Sequence, residues 1–185
     1  MKRDECCELL ERLAYPPSLL EHSQAVADLA EAIASRISGC STETAYTGGL
    51  VHDIGRTVTH SLFHAYEGGV IARKLGLPDI LYEIILTHIG GGITEEEASV
   101  LGLPDRDYMP RTIESKVVSH ADNLISGACR RTLENCLDTY SSRGLLTAAE
   151  RIRALHSELS EKAGADIDSV RLFSASRSRV RNKDQ

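Results

Sequence analysis

Four polar side chains stand at positions of this chain where a helical core would place apolar ones. Apolar residues recur every three or four positions in successive segments, a pattern that predicts amphipathic helices. His22, His64, His88 and Asp122 each lie on the apolar side of a different segment. A single histidine in such a stripe is more often a satisfied core residue, but a buried imidazole or carboxylate needs a partner. Several such residues on separate segments reverse the odds for a single histidine and favour a shared site.

A fifth segment carries an adjacent histidine and aspartate. Its sequence is Gly48-Gly49-Leu50-Val51-His52-Asp53-Ile54-Gly55-Arg56. Imidazole nitrogen and carboxylate oxygen both bind first-row divalent metals, and neighbours about 100° apart on a helix can reach one ion. The two glycines inside the helix cost about 1 kcal/mol each relative to alanine, which predicts close approach of another helix or a ligand. Gly55 is predicted to end this helix.

These residues give the chain its resemblance to the HD-domain metal-dependent phosphohydrolase superfamily, over about residues 18 to 127. The family is named for the adjacent His-Asp pair and implies an all-α bundle, here of about seven to nine helices. It also implies a metal site with a core of four ligands, to which two further histidines add a second ion bridged by the aspartate. The core ligands would be His22, His52, Asp53 and Asp122, and the second ion would be held by His64, His88 and Asp53.

The resemblance implies a divalent metal cofactor, with one or two ions. A set of histidine and aspartate ligands suits Fe, Mn, Co, Ni or Mg better than a structural zinc site, although Zn²⁺ remains open. The chain has Thr87-His88 where the histidine-rich variants of the family often have two consecutive histidines. The number of ions is therefore left open at this point.

Two residues that follow the His-Asp pair are candidates for catalysis beside Asp53. The Arg56 guanidinium could grip a phosphate with two parallel hydrogen bonds, and a plain surface arginine has equal weight. His60 is a candidate proton donor or a partner of the metal ligands. The glycines at 90 to 92 either allow a phosphate to come close or form a flexible turn between helices.

The resemblance predicts an enzyme that hydrolyses a phosphate monoester or diester of a small, nucleotide-like substrate through a metal-activated water. A more specific case is a phosphodiesterase that opens a 2′,3′-cyclic phosphate on a pterin or nucleotide precursor, since the similar small archaeal-type HD proteins include such enzymes for a pterin precursor. Two other classes remain open: a nucleotide-binding regulatory module without turnover, and an HD-fold di-iron oxygenase.

Composition supports a single helical domain. The chain of 185 residues is 42% hydrophobic but only 4% aromatic and lacks Trp, so aliphatic side chains must fill its core. We predict one domain over residues 1 to 170, with the metal-site core at about 18 to 127 and a C-terminal helical hairpin at about 128 to 164. Residues 171 to 185 form a basic tail that is predicted to be frayed and solvated, with an RNA or acidic partner as the alternative.

Charge and cysteine content narrow the partners and the compartment. The net charge is −6, and because the tail holds five basic and one acidic side chain, the tail is +4 and the remainder −10. An acidic body argues against a general nucleic-acid surface. No apolar run approaches the roughly 20 residues of a membrane span, so we predict a cytoplasmic protein with five reduced thiols and no membrane association. A homo-oligomer is left open.

Further predictions concern the starts of three helices and the positions of two other histidines. Capping boxes are predicted at Ser18, Thr94 and Thr147, because each is followed three residues later by glutamate. His120 is predicted not to be a ligand, because residues two apart on a helix lie 200° apart and Asp122 already faces the site. His156 is predicted to be a surface residue.

Overall fold

The computed structural model describes residues 1–173, and within this range it contains nine α-helices, two short 3-10 helices and one two-stranded sheet. The prediction of an all-α fold with seven to nine helices is confirmed. The helices are α1 (Arg3–Arg12), α2 (Pro17–Ala34), α3 (Thr42–Val51), α4 (His64–Lys74), α5 (Asp79–Thr87), α6 (Glu95–Val100), α7 (Ile113–Asn123), α8 (Leu133–Ser142) and α9 (Leu146–Ala163). Most of the predicted basic tail lies outside the described residues.

The core is formed where α2 packs against α3 and α7, and α5 closes it from the other side of α3. The two glycines of α3 allow these contacts. A Cβ added at Gly49 would lie 2.6 Å from the Cα of Ala27 on α2, and one added at Gly48 would lie 2.7 Å from the Cδ1 of Ile84 on α5. The predicted close approach of another helix is thereby confirmed. The approach places His52 and Asp53, which follow α3, against the elements that carry the other ligands.

The two glycines provide a matched pair of stability predictions. Alanine at position 49 would strike the backbone of α2, which cannot rotate away, whereas alanine at 48 would strike the flexible end of a side chain. Both changes also stabilise the helix by about 1 kcal/mol, because alanine has a higher helix propensity than glycine. We expect Gly49→Ala to lower the free energy of unfolding by about 2 kcal/mol and Gly48→Ala to change it by less than about 1 kcal/mol. Equal unfolding midpoints in guanidinium chloride would contradict this account.

The residue at which a helix begins is decided more by backbone constraints than by the capping pattern of side chains. The capping box at Thr94 is confirmed, with the Glu97 amide donating to the threonine hydroxyl at 3.3 Å. The box at Ser18 is wrong because α2 begins one residue earlier, at Pro17, whose fixed φ suits the first helical position. The box at Thr147 is also wrong. Gly144, with φ +76°, turns the chain directly into α9, which therefore begins at Leu146.

The segment after the His-Asp pair also differs from prediction. Helix α3 ends at Val51, and residues Ile54–Thr57 form a 3-10 helix, so Gly55 does not end α3. A Cβ at Gly55 would lie 1.9 Å from the carbonyl oxygen of His64, the first residue of α4. This glycine therefore serves close packing of the 3-10 helix on α4.

A short hairpin separates α7 from the C-terminal helices. Strands β1 (Ile125–Ser126) and β2 (Cys129–Arg130) pair antiparallel across a turn that contains Gly127, with φ +60°. Helices α8 and α9 then pack against each other, and Gly164 ends α9 in the left-handed conformation. No helix within residues 1–173 is both long enough and apolar enough to cross a membrane.

Candidate metal centre

The six side chains that sequence predicted as metal ligands lie together, and each comes from near the end of a helix. His22 is in the second turn of α2, His52 and Asp53 follow α3, and Asp122 is the penultimate residue of α7. His64 begins α4 and His88 directly follows α5. Because helix ends converge here, six side chains that span 101 positions of the sequence can reach one volume.

The ligand atoms can be divided into two groups that share Asp53, although His88 also lies within 4.8 Å of His52 and Asp122. We call the first the outer subsite: Asp53 Oδ2 lies 3.8 Å from His22 Nε2 and 3.7 Å from His52 Nε2. Asp122 Oδ1 completes it, 3.1 Å from His22 Nε2 and 3.5 Å from His52 Nε2. Solvent reaches this subsite, since the side chains of His22 and Asp122 are 16% and 23% exposed.

The second group, the inner subsite, faces the other oxygen of the same carboxylate. Asp53 Oδ1 lies 3.1 Å from His64 Nε2 and 3.4 Å from His88 Nε2. All three side chains are buried. The geometry thus gives Asp53 one oxygen for each subsite.

The four histidines are held in one orientation by the backbone. In each, Nδ1 lies 2.7 to 2.8 Å from a carbonyl oxygen, which can only accept, so Nδ1 carries the hydrogen. The lone pair of every Nε2 therefore faces the centre. The carbonyls belong to Gly127 for His22, Gly49 for His52, Ser61 for His64 and Ile85 for His88.

This arrangement needs a positive charge at its centre. His64 Nε2 and His88 Nε2 are 3.0 Å apart, and with both lone pairs facing inward they repel each other unless a cation or a proton lies between them. His52 Nε2 and Asp53 Oδ1 are buried and have no hydrogen-bond partner among the described residues. Buried polar groups are normally satisfied, so these orphaned atoms fit a bound metal ion.

Without metal, the charges of the centre shift the acid–base properties of its groups. Burial alone would lower the pKa of His52, but the Asp53 and Asp122 carboxylates raise it to about 9. Burial would raise the pKa of both carboxyl groups, and the surrounding imidazoles hold it well below the usual range instead. Burial lowers the pKa of His88. Both acids are thus ionised and available as ligands at neutral pH.

The raised pKa of His52 predicts a pH window for the stability of the metal-free protein. The folded protein binds this proton more tightly than the unfolded chain does. The proton therefore stabilises the folded state fully below the unfolded pKa of about 6.5, and this stabilisation is lost as the pH rises through about 9. We expect chelator-treated protein to lose about 3 kcal/mol of unfolding free energy across that window. Urea unfolding at pH 6, 7.5 and 9 measures the loss, and His52→Gln should flatten it. A wild-type profile that rises toward pH 9 would refute the assignment.

The two candidate catalytic residues differ in position. Arg56 Nε donates to Asp53 Oδ2 at 2.6 Å, and its side chain is 31% exposed. Sequence reasoning proposed a phosphate contact or a plain surface role and missed this ion pair. His60 is exposed, on the segment between the 3-10 helix and α4, and its side chain has no hydrogen-bond partner within residues 1–173.

His120 lies outside the cluster, on the side of α7 that faces α9. Its Nε2 is 2.9 Å from Nδ1 of His156, whose Nε2 is 3.2 Å from Asp166 Oδ1. The prediction that His156 is a surface residue is wrong, since it is buried by this contact. Its partner is 36 positions away in sequence, so the helical pattern of α9 gave no signal of it.

The glycines after His88 serve packing. Gly90, Gly91 and Gly92 are all buried, and a Cβ at Gly91 would lie 2.9 Å from the backbone carbon of Arg151 on α9. Ser119 and Asn123 of α7 both donate to the Gly90 carbonyl, at 2.7 and 2.6 Å. The turn is thus held by contacts with both α7 and α9. These contacts favour neither the admission of a phosphate nor a flexible turn, the two roles considered from sequence.

Comparison with known proteins agrees with this fold. The profile of the HD domain family matches residues 19–127. A Thermoplasma volcanium protein named tRNA (cytidine(56)-2'-O)-methyltransferase is 42% identical over 165 residues, which cover 89% of this chain and 48% of that protein. An uncharacterized protein of Methanocaldococcus jannaschii is 40% identical over 147 residues, covering 77% of this chain and 86% of that one.

Two further comparisons involve a ribonuclease and the HD domain of a phosphodiesterase. Ribonuclease Y of Thermotoga petrophila is 36% identical over 133 residues, covering 69% of this chain and 23% of that protein. The crystal structure of the HD domain of the L. monocytogenes phosphodiesterase PgpH, in complex with cyclic-di-AMP, superposes with a TM-score of 0.52 at 20% identity, covering 80% of this chain and 90% of that one. The structural likeness concerns the fold alone.

The chain belongs to the HD domain family. Its helical fold is that of the HD superfamily of metal-dependent hydrolases, and its cluster of histidine and aspartate side chains could hold a metal ion. The chain spans about half the length of the methyltransferases that it matches.

Proposed function

We propose that this protein is a metal-dependent phosphohydrolase that cleaves a phosphate monoester or diester of a small, nucleotide-like substrate. The observation that carries the proposal is the pair of subsites that share Asp53, into which four imidazole lone pairs point. The name of ribonuclease Y, a relative at 36% identity, supports phosphodiester chemistry.

The proposed ligands follow the two subsites. His22, His52, Asp53 and Asp122 would hold one divalent ion, and His64 and His88 would hold a second together with Asp53. Fe, Mn, Co, Ni or Mg suit this mixture of imidazole and carboxylate. When bound, two such ions clamp a phosphoryl group and lower the pKa of an attacking water.

The chain's own residues would orient the substrate and move protons. The exposed edge of His22 and Asp122 leaves the outer subsite open, so a phosphate would enter from that side. Arg56, half-exposed beside Asp53, would donate hydrogen bonds to a non-bridging phosphate oxygen. His60 is proposed to give a proton to the leaving oxygen. It lies on the segment that links the 3-10 helix to α4, between Gly55 and the His64 backbone on which Gly55 packs.

One observation favours a second candidate function, a metal-binding module that supports tRNA methylation. Relatives at 42% and 40% identity carry a tRNA methyltransferase name, and this chain corresponds to about half of each. In that case the centre would be retained without hydrolysis. The complete ligand set favours hydrolysis, because a module without turnover has no need of every buried acid and imidazole.

Turnover with a generic substrate separates these functions. We expect the purified chain to hydrolyse bis-p-nitrophenyl phosphate with Mn²⁺ or Fe²⁺, to lose this activity with a chelator and to regain it on metal addition. A nucleotide panel that includes 2′,3′-cyclic phosphates would then test the more specific case. Metal retention without turnover would instead support the module, and substrate-dependent oxygen uptake would identify an oxygenase.

A further inference from the structure

The ion pair between Arg56 and Asp53 is built into the backbone. Asp53 directly precedes the 3-10 helix Ile54–Thr57, and the Arg56 amide donates to the Asp53 carbonyl at 2.9 Å. Side chains three positions apart eclipse each other in a 3-10 helix. The guanidinium is therefore held beside the carboxylate, at 2.6 Å from Nε to Oδ2.

This contact falls on only one of the two subsites. Oδ2 is the oxygen that faces His22 and His52 of the outer subsite, whereas Oδ1 faces the inner subsite and has no hydrogen-bond partner within the described chain. A divalent ion in the outer subsite would have to share Oδ2 with a guanidinium. An ion in the inner subsite would use an oxygen that no other cation contacts. The two subsites are thus electrostatically unequal.

We propose that Arg56 is a tethered counter-ion that selectively weakens metal binding at the outer subsite. Because the centre gains positive charge as ions bind, filling the outer subsite would release the half-exposed guanidinium from Asp53. The freed side chain would then bind a phosphate that enters from the open side, a second step that rests on the proposed function. Metal loading and phosphate binding would be coupled through one arginine.

Metal titration tests the first step without any assay of activity. We expect Arg56→Gln to raise the affinity of chelator-treated protein for Mn²⁺ at the outer subsite by about tenfold, because the variant removes a charge-assisted contact to Oδ2. In an Asp122→Asn background, which disables the outer subsite, the same change should alter Mn²⁺ affinity by less than about threefold. In a His88→Ala background, which disables the inner subsite, the full effect should remain.

Two further variants test whether the effect depends on the positive charge at position 56 and not on the loss of any surface arginine. Arg56→Lys keeps the positive charge and should restore Mn²⁺ affinity to within about threefold of wild type. Arg153→Gln removes a surface charge that pairs with exposed Glu134 and should leave Mn²⁺ affinity unchanged. Thermal melts establish that each variant is folded. An outer-subsite affinity that does not rise in Arg56→Gln would overturn the proposal, as would an equal rise in the Asp122→Asn background.

Inorganic phosphate tests the second step. For Mn²⁺-saturated protein, calorimetry should show phosphate binding about tenfold weaker in Arg56→Gln than in wild type or Arg153→Gln. Equal phosphate affinities would refute the release of Arg56 to the phosphate but not its effect on metal. If the protein hydrolyses no phosphate ester, the Mn²⁺ titrations still decide the counter-ion role, so the two failures are distinguishable.

Discussion

Asp53→Asn is expected to empty both metal subsites and to lower phosphohydrolase turnover by at least about a thousand-fold. Asp53 supplies one oxygen to each subsite, and the asparagine amide keeps the shape of the side chain but replaces one oxygen by an NH₂ donor. No imidazole can replace the lost bridge. Elemental analysis of protein purified without chelators gives the metal content per chain, and hydrolysis of bis-p-nitrophenyl phosphate gives the turnover.

The matched control for this change is Asp79→Asn. Asp79 is an exposed acid in the first turn of α5, and its side chain is 83% accessible in an ion pair with Arg73. Its replacement should leave metal content and turnover unaltered, because exposed ion pairs contribute little. Wild-type metal content in Asp53→Asn would show that Asp53 is not the shared ligand.

Gly55→Ala is the second change with a large expected effect. A Cβ at this position would lie 1.9 Å from the carbonyl oxygen of His64 and 2.5 Å from the amide nitrogen of Gly68. Both are backbone atoms of α4, so no side-chain rotation can relieve the contact. We expect the free energy of unfolding to fall by about 3 kcal/mol or more, and His64 to move away from Asp53. Denaturant unfolding and metal content per chain measure the two effects.

Gly69→Ala on the same helix α4 is the control. Its Cβ would lie 2.7 Å from Cδ2 of Leu86, the end of a flexible side chain. A loss below about 1.5 kcal/mol with normal metal content is expected there. Similar unfolding midpoints for the two variants would mean that the contact between Gly55 and α4 is not tight in solution.

The parts of the fold that depend on near neighbours were predictable. The helical class follows from apolar spacing, the Thr94 cap follows from a serine- or threonine-to-glutamate pattern that spans one turn, and Gly164 ends α9 because few other residues adopt a positive φ. The same pattern failed at Ser18, where the adjacent prolines decided the start of the helix. Two local rules apply within a few residues here, the capping pattern of Ser18 and the fixed φ of proline. The backbone constraint of proline decided where the helix begins.

Sequence alone determined the residue types and the helical class. The spacing of His22, His52, Asp53, His64, His88 and Asp122 was enough to predict a shared cluster through the family resemblance. The tertiary structure decided how their atoms face one another. The carbonyl that orients His22 belongs to Gly127, 105 positions away, and the imidazole that buries His156 is 36 positions away.

The reason is physical. Helix propensity is a property of a few consecutive residues, whereas the direction of a lone pair is set by hydrogen bonds that form only when distant segments pack. The contact of Arg56 with Asp53 shows the same division, because the two residues are close in sequence but meet through a 3-10 turn that packs on α4.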